Sequence, residues 1–210
     1  MSSTNRGGQR SPADFYPPPG WCVHRLLDEL LPPGQPYRGQ WVEPCAGSGA
    51  IIRAVTEWSA GRDPAVDIGW TANELADRPT LRLLPGVELY RGDTLAWVPE
   101  TGRFDMCLTN PPFSSALRFV KWGLEHANTT AMLLRINFLA SARRAEFMRA
   151  HPPDVYVLPN RPSFTGRGTD SIDYAWFVWR SPARRRAGRI MVLEDTPKID
   201  RVLGQKHRSR

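Results

Sequence analysis

Short apolar runs alternate with amphipathic segments along most of the chain. Apolar residues at helical spacing predict a helix over residues 20–31, and Pro32 and Pro33 end it. The patterns then predict strands at residues 40–43, 65–72, 87–90, 104–108, 130–136, 154–158 and 174–179, and helices at residues 50–58, 79–84, 117–124 and 138–150. Strands that alternate with helices predict an α/β fold of three layers, with a mostly parallel sheet and helices on both faces.

Four polar side chains fall where predicted strands end. They are Glu43, Glu74, Asp93 and Asn110. Because ligands of open α/β sheets bind at the carboxyl ends of the strands, we expect these side chains to line one cleft. An acidic residue at the position of Glu74 is placed to bind ribose hydroxyls with both oxygens, although it could instead cap the next helix.

The most informative stretch is Asn110-Pro111-Pro112-Phe113, directly after the fourth predicted strand. Two consecutive prolines lack N–H donors and cannot continue a sheet, so the strand ends and the backbone becomes stiff. The Asn110 amide oxygen and the Pro111 carbonyl form a pair of acceptors, which suits a planar –NH2 group with its two donors. Phe113 offers a face for a flat ring. An ordinary strand-to-loop turn is the alternative.

A glycine-rich turn follows the first predicted strand. Residues 42–50 read Val-Glu-Pro-Cys-Ala-Gly-Ser-Gly-Ala, with Gly47 and Gly49 between the strand and the next helix. Such a turn lets the backbone approach a ligand closely and aims helix N–H groups at it. The third glycine of the dinucleotide fingerprint is absent, so the turn alone is a weak signal.

Together, the acidic strand end, the Gly-x-Gly turn and the Asn-Pro-Pro-Phe stretch resemble the amino-methyltransferase branch of the S-adenosylmethionine-dependent class I methyltransferases. Their order along the chain resembles that of gamma-type DNA adenine-N6 methyltransferases. The resemblance implies a Rossmann-like fold with seven mostly parallel strands, of which the last is antiparallel, and S-adenosyl-L-methionine as the cofactor. It divides the chain into a disordered tail at residues 1–13, a methyltransferase domain at residues 14–180 and a basic C-terminal segment at residues 181–210.

The resemblance also implies roles for cofactor-binding residues. Glu43 would contact the methionine end of the cofactor, Asp93 would accept from the adenine amino group, and Leu75 would pack against the adenine ring. Phe15 and Tyr16 precede the first helix in an aromatic-proline segment, which would cover the cofactor unless it is only a lead into the helix. The expected cofactor set is Phe15, Tyr16, Glu43, Pro44, Ala46, Gly47, Gly49, Glu74, Leu75, Asp93, Thr94 and Asn110.

The implied reaction requires neither a metal nor a titrating base at the acceptor nitrogen. A methyl sulfonium is already a strong electrophile, so the enzyme has to hold the nitrogen in line and about 3 Å away. An aromatic amine is a poor nucleophile because its lone pair delocalises into the ring. Acceptors at Asn110 and Pro111 can draw its hydrogens out of the ring plane and stabilise the developing positive charge. The expected catalytic residues are Asn110, Pro111, Pro112 and Phe113.

A base in a duplex has to be flipped out and held between flat side chains. Phe113 offers one face, and the resemblance places a second aromatic at Phe164, although Phe164 could equally be a core residue. Arg161 and Arg167 are expected to contact the substrate, the latter from a glycine-rich loop at residues 165–170. Further arginines could clamp phosphates or only form a solvated face: Arg135, Arg143, Arg144, Arg149 and Arg184 to Arg186.

The net charge favours an anionic partner. Lys and Arg number 28 against 21 Asp and Glu, which gives +7 and indicates nucleic acid first, with a merely basic protein as the alternative. Cys22, Cys45 and Cys107 form no C-x-x-C pair and only four His are present, so we expect neither a zinc site nor a disulfide framework. No run reaches the roughly 18 apolar residues of a membrane span, and residues 1–11 lack a signal-peptide core, which indicates a cytoplasmic protein.

Several substrates are compatible with these motifs. Adenine N6 in DNA is the first, and adenine N6 or guanine N2 in RNA is the second. A protein glutamine is less favoured, because that family usually has Tyr after the prolines and an added N-terminal helical domain. A catalytically silent binding subunit is disfavoured by the intact Asn110 and Gly-x-Gly turn. Neither residues 181–210 nor the gap between Asp93 and Asn110 has room for a separate target-recognition domain, so we expect low or short-site sequence specificity.

Overall fold

The structure, a computed structural model, describes residues 17–100, 102–164, 171–180 and 188–203. The strands are β1 (Tyr37–Glu43), β2 (Val66–Glu74), β3 (Val87–Arg91), β4 (Phe104–Thr109), β5 (Ala127–Arg135), β6 (Asp154–Val157), β7 (Tyr174–Arg180) and β8 (Ile190–Val192). The α-helices are α1 (Gly20–Leu30), α2 (Ala50–Ser59), α3 (Pro79–Arg82), α4 (Ala116–His126), α5 (Ala145–Ala150) and α6 (Lys198–Leu203). Short 3-10 turns cover Thr94–Ala96, Phe113–Ser115, Ile136–Phe138 and Ala142–Arg144.

The described strands form one eight-stranded sheet in the order β3-β2-β1-β4-β5-β7-β6-β8. Neighbours from β3 to β5 are parallel, whereas β7 runs antiparallel to both β5 and β6. The last strand, β8, is parallel to β6. The prediction of a mostly parallel α/β sheet with one antiparallel strand is confirmed. The sheet has one strand more than the seven expected, and the antiparallel strand is not the last in the chain.

Alternate side chains of the central strands enter two separate cores, one on each face of the sheet. In β5, Ala131 and Leu133 pack in the core that contains residues of α1 and α2. Met132 and Leu134 pack in the other core, with residues of α4. Strands buried on both faces read as near-continuous apolar runs, which is why β5 shows no polar alternation at its centre. Helices cover both faces, as predicted.

The parallel register brings the carboxyl ends of neighbouring strands to one edge. Trp41 of β1 lies opposite Trp70 of β2 and Met106 of β4. Glu43 is therefore level with Ala72 and stands one residue beyond the Val42–Cys107 pair. Because adjacent strands lie about 4.8 Å apart, side chains at these ends can act on one ligand.

The predicted helix over residues 138–150 is only partly correct. Ser141 has an extended backbone (φ −158°, ψ 126°), and the α-helix begins only at Ala145. Arg144 stabilises the break, because its side chain donates to the carbonyls of Phe138 (2.8 Å) and Asn137 (3.3 Å). These side chain-to-backbone bonds replace helical ones and turn the chain before α5.

The described part of the C-terminal segment joins the sheet through β8 and packs on α1. Arg25 of α1 donates to the Thr196 hydroxyl (3.0 Å) and to the Asp195 carbonyl (2.8 Å). Leu193 and Thr196 are almost fully buried. None of the helices among the described residues combines the length and apolar character that crossing a membrane requires.

Candidate active site

The structure places the four predicted polar side chains along one edge of the sheet. Glu43 is the last residue of β1 and Glu74 the last of β2. Asp93 caps the turn that follows β3, and Asn110 comes directly after β4. Three of these strands are consecutive neighbours in the sheet, and β3 lies beyond β2. The residues that the sequence singled out are therefore brought to one place by the fold.

The Gly-x-Gly turn adopts a conformation that requires glycine. Gly47 and Gly49 have φ values of +54° and +76°, in the left-handed region. A Cβ added at Gly49 would lie 2.4 Å from Leu84 Cδ1. The Ala46 N–H donates to the carbonyl of Asn73 (3.0 Å), which fixes the turn against β2. The first helical residue of α2, Ala50, follows at once, so the N–H groups of its first turn face the strand ends.

Glu74 connects the end of β2 to this turn. Its Oε2 accepts a hydrogen bond from the Gly47 N–H (2.8 Å), and its Oε1 accepts from the Ala76 N–H (3.0 Å). The alternative role as a helix cap is wrong, because α3 has Arg78 at its N-cap and no side-chain cap bond. A carboxylate oxygen has two acceptor positions, so each Glu74 oxygen can still accept from a ligand hydroxyl.

Glu43 is a buried carboxyl whose hydrogen-bonding capacity is not filled. It is 2% exposed, and its Oε2 accepts no hydrogen bond from the residues that the structure describes. Burial raises the pKa of the Glu43 carboxyl well above its usual value, although the Ile52 N–H and the charge of Arg53 act in the opposite direction. A buried acceptor without a donor costs about 1–3 kcal/mol. A ligand ammonium at this oxygen would remove that cost and favour the ionised form.

Further buried polar atoms at strand ends have no hydrogen-bond partner within the described part of the chain. They include the Asn73 Oδ1 of β2, the Thr109 Oγ1 at the end of β4 and the Arg135 Nε at the end of β5. Asn73 was not predicted to be functional. The signal was its position, one residue before a predicted ligand-binding carboxylate. Buried polar atoms are hydrogen-bonded in the large majority of cases, so this concentration at one edge points to a ligand site.

The turn after β3 forms the far side of the cleft. The Asp93 Oδ1 accepts from the Leu95 N–H (3.0 Å) and so caps the turn, while the rest of the carboxylate is exposed. Thr94 is buried, and its hydroxyl donates to the Pro44 carbonyl (2.5 Å), which ties the turn to the glycine-rich loop. Leu75 is 73% exposed and makes little contact with the described chain.

The Asn-Pro-Pro-Phe stretch ends its strand as predicted. β4 stops at Thr109, and Pro112 holds an extended backbone (φ −54°, ψ 123°) before the turn that begins at Phe113. The Arg135 guanidinium lies 4.5 Å from the centre of the Phe113 ring. The ring of Tyr174 is 5.9 Å from the same ring.

Phe164 and Arg161 have protein partners in the structure. Phe164 is 7% exposed and meets Tyr174 edge to face, with ring centres 5.0 Å apart. Arg161 is exposed and pairs with Asp173 (2.7 Å). Contact of both residues with substrate stays a prediction. Phe15, Tyr16, Arg167, Arg184 to Arg186 and the loop at residues 165–170 lie outside the described residues.

The described residues contain neither a disulfide nor a cluster of metal-ligating side chains. Cys22, Cys45 and Cys107 are free thiols. Burial raises the pKa of the Cys45 thiol in the glycine-rich loop well above its usual value, so it stays neutral near pH 7. Across the ranges given above, no three His, Cys, Asp or Glu side chains are gathered as they would be around a metal ion.

Solved structures similar to this chain share its architecture. A proposed class I S-adenosylmethionine-dependent methyltransferase from Listeria monocytogenes superposes with a TM-score of 0.63 at 13% identity, over 84% of this chain and 64% of that one. A predicted O-methyltransferase from Agrobacterium tumefaciens gives 0.56 at 15% identity, over 87% and 96%. A proposed RNA methyltransferase from Pyrococcus horikoshii gives 0.53 at 12% identity, over 76% and 81%. The chain thus spans 64% of the length of the Listeria protein.

The fold is therefore the Rossmann-like fold of class I methyltransferases. No known family profile and no curated protein matches the sequence. At these identities the structural likeness establishes the fold alone, so activity has to be argued from the cleft.

Proposed function

We propose that this chain is an S-adenosylmethionine-dependent methyltransferase that methylates the exocyclic N6 of adenine in DNA, with low or short-site sequence specificity. One observation carries the proposal. The Asn110-Pro111-Pro112-Phe113 stretch and the unfilled Glu43 carboxyl stand at the ends of neighbouring strands, β4 and β1. An acceptor pair for an amine and an acceptor for an ammonium are thus held side by side.

The residues present fit S-adenosylmethionine. Its methionine part carries an ammonium, for which the buried Glu43 oxygen without a donor is a matched acceptor. Glu74, with both oxygens directed to the loops beside β2, can accept from the ribose hydroxyls. The exposed part of Asp93 and the exposed Leu75 are available to the adenine ring. The bound cofactor would supply a methyl group that is already activated on a sulfonium.

The acceptor side of the cleft is built by the proline-stiffened loop. The Asn110 side-chain oxygen and the Pro111 carbonyl would accept the two N–H groups of the substrate amine. Acceptors fixed in advance stabilise the positive charge that develops on the nitrogen, which is an electrostatic effect of the chain itself. Phe113 lies three residues after Asn110 and would support the ring that carries the amine.

An exocyclic amine of a nucleic-acid base is the substrate that fits best. The net charge of +7 favours a polyanion. A purine amine is flat, carries two N–H donors and can be stacked once it is flipped from a duplex. RNA adenine N6 or guanine N2 is the second candidate, favoured by the likeness to a proposed RNA methyltransferase.

The test incubates the purified protein with S-adenosylmethionine labelled on its methyl group and, separately, with plasmid DNA, total RNA and lysate protein. We expect label in DNA, and N6-methyl-2′-deoxyadenosine as the only labelled nucleoside after digestion. Label confined to RNA would replace DNA by the second candidate. Label confined to protein, or a labelled base nitrogen within the ring, would refute the proposal.

A further inference from the structure

Arg135 lies beside the proposed methyl-acceptor site, and none of the described carboxylates pairs with it. It is the last residue of β5, and its guanidinium lies over the Phe113 ring. Its Nε is buried and finds no acceptor in the described part of the chain. Asp173 is close, because its carbonyl accepts from the Ile136 N–H, but its carboxylate pairs with Arg161. Arg135 thus has a charge and a donor that the described protein leaves unmatched.

Other arginines near the strand ends are already used by the protein. Arg53 donates to the Ser48 carbonyl (2.7 Å) at the glycine-rich loop. Arg144 donates to the Phe138 carbonyl, and its guanidinium lies 4.4 Å from the Phe138 ring. These contacts give each guanidinium a structural role. Arg135 differs from them, because it stacks on a ring but contacts no acceptor oxygen in the part of the chain that the structure describes.

A cation at this place works against the proposed reaction unless an anion joins it. The acceptor nitrogen becomes positive as it takes the methyl group, and a nearby positive charge raises the free energy of that state. The guanidinium also covers one face of Phe113, on which the target ring was predicted to stack. An anion that arrives with the substrate would neutralise the charge and draw the guanidinium from the ring.

We infer that Arg135 binds a backbone phosphate of the substrate strand next to the target nucleotide, and so positions the flipped base at Phe113. This inference rests on the proposed function. A guanidinium is a planar fork whose parallel N–H groups match two phosphate oxygens, and Nε is one of the donors of that fork. DNA and RNA present the same phosphodiester, so the assignment holds for either strand and the experiment separates them.

The experiment uses DNA and RNA oligonucleotides that each contain one methylatable base. One phosphate at a time, around that base, is replaced by a neutral methylphosphonate. The proteins are wild type, Arg135→Gln, Arg135→Lys and the control Arg38→Gln. Arg38 lies near the start of β1, at the opposite edge of the sheet, and its ion pair with Asp67 is exposed, so the control removes the same charge away from the cleft.

We expect Arg135→Gln to raise the KM for the oligonucleotide about 10- to 150-fold, since hydrogen bonds to charged groups are worth roughly 1.5–3 kcal/mol. The kcat should change much less, and the slope of log affinity against log salt should become shallower by about 1. Arg135→Lys should be intermediate because it keeps the charge and loses the fork. Arg38→Gln should behave as wild type. One methylphosphonate position should weaken wild type by the same factor and leave Arg135→Gln unaffected.

Two results would overturn the inference. If every neutral linkage affects wild type and Arg135→Gln equally, no phosphate is bound by Arg135. If Arg135→Gln lowers kcat with KM and salt slope unchanged, the residue acts on the reacting groups instead. In both cases methylation of DNA by wild type would leave the proposed function standing. Methylation of RNA alone would replace that function by the second candidate, and wild-type activity on protein alone would end both the function and the inference. If Arg135→Gln misfolds, Arg135→Lys takes its place in the comparison. The methylphosphonate series on wild type also refutes the inference by itself if no single linkage next to the target base weakens methylation.

Discussion

The Glu43→Gln substitution tests the cofactor side of the cleft most directly. Gln keeps nearly the size of Glu and can still accept the Ile52 N–H, but it cannot be ionised. The proposed partner of the Glu43 Oε2 is a ligand ammonium. A neutral amide should therefore leave the fold intact and weaken only the bound state.

The expected size of the effect follows from two energies. A charge-assisted hydrogen bond contributes about 1.5–3 kcal/mol, so the Kd for S-adenosylmethionine should rise roughly 10- to 150-fold. The free energy of unfolding without cofactor should instead be higher in the Gln variant. The native pKa of Glu43 is raised by burial, so the native state holds its proton to higher pH than the unfolded chain, whose Glu titrates near pH 4 (about 4.3). Wild-type stability without cofactor therefore falls as the pH rises through the raised pKa, and the Gln variant should not show that loss.

Calorimetry and thermal unfolding measure the two effects separately. Titration of S-adenosylmethionine gives the Kd, and melting curves between pH 5 and 9 give the stability difference without cofactor. Glu57→Gln is the matched control, because Glu57 is exposed on α2, the helix that follows the glycine-rich turn. Above the raised pKa the Glu43 variant should melt several degrees higher than wild type, at about 2–4 °C per kcal/mol for a chain of this size. Unchanged cofactor binding in Glu43→Gln, or equal losses in both variants, would refute the proposed ammonium contact.

The remaining predictions concern the same cleft. Asn110→Ala should lower the rate of methyl transfer at least about 100-fold, as loss of one preorganised contact does, while cofactor binding stays largely intact; single-turnover methylation and calorimetry measure the two. The affinity of wild type for the cofactor should increase as the pH rises through the raised pKa of Glu43, and binding of the cofactor should release a proton. Calorimetric titrations in two buffers of different ionisation enthalpy detect the released proton. Gly49→Ala should lower the melting temperature more than Gly61→Ala. Both glycines have positive φ, so the backbone strain of either substitution costs about 1–2 kcal/mol. Only the Gly49 Cβ would also overlap a neighbouring side chain. Equal shifts for the two glycine variants would contradict the assigned overlap with Leu84.

Local signals in the sequence predicted most of the fold and the strand-end residues. Apolar runs placed the central strands, and the two prolines placed the end of β4 at Thr109. The first strand begins at Tyr37, although the sequence predicted a start at residue 40. The prediction missed this start because the exposed Arg38 and Gln40 interrupt the apolar pattern, while their backbone still pairs with β2. Pairing between strands is a property of the sheet, and polar residues at a strand start conceal it.

The features that the sequence did not predict depend on partners distant in the chain. Stacking of Arg135 on Phe113 brings the end of β5 to the loop after β4. The unfilled oxygens of Glu43 and Asn73 become meaningful only once burial is known, because the same residues at a surface would be hydrated. Sequence reasoning therefore placed the polar residues at neighbouring strand ends, whereas the burial and the partners of their polar atoms required the structure.

The packing of β8 and of the described residues after it bears on the proposed substrate specificity. β8 has three residues and adds to the edge of the sheet beside β6, and the residues after it bind to α1 through Arg25. Arg180 and Arg189, which could otherwise face a polyanion, both pair with the buried Asp154. Within residues 188–203, the part of this segment that the structure describes, no helix or ribbon has the length that enters a DNA groove, and Arg180 and Arg189 are partly neutralised. Contacts with the target base and its adjacent phosphates would then carry recognition, and such contacts discriminate poorly among flanking sequences. The use of the last described strand as a sheet edge therefore supports the low or short-site specificity proposed for this chain.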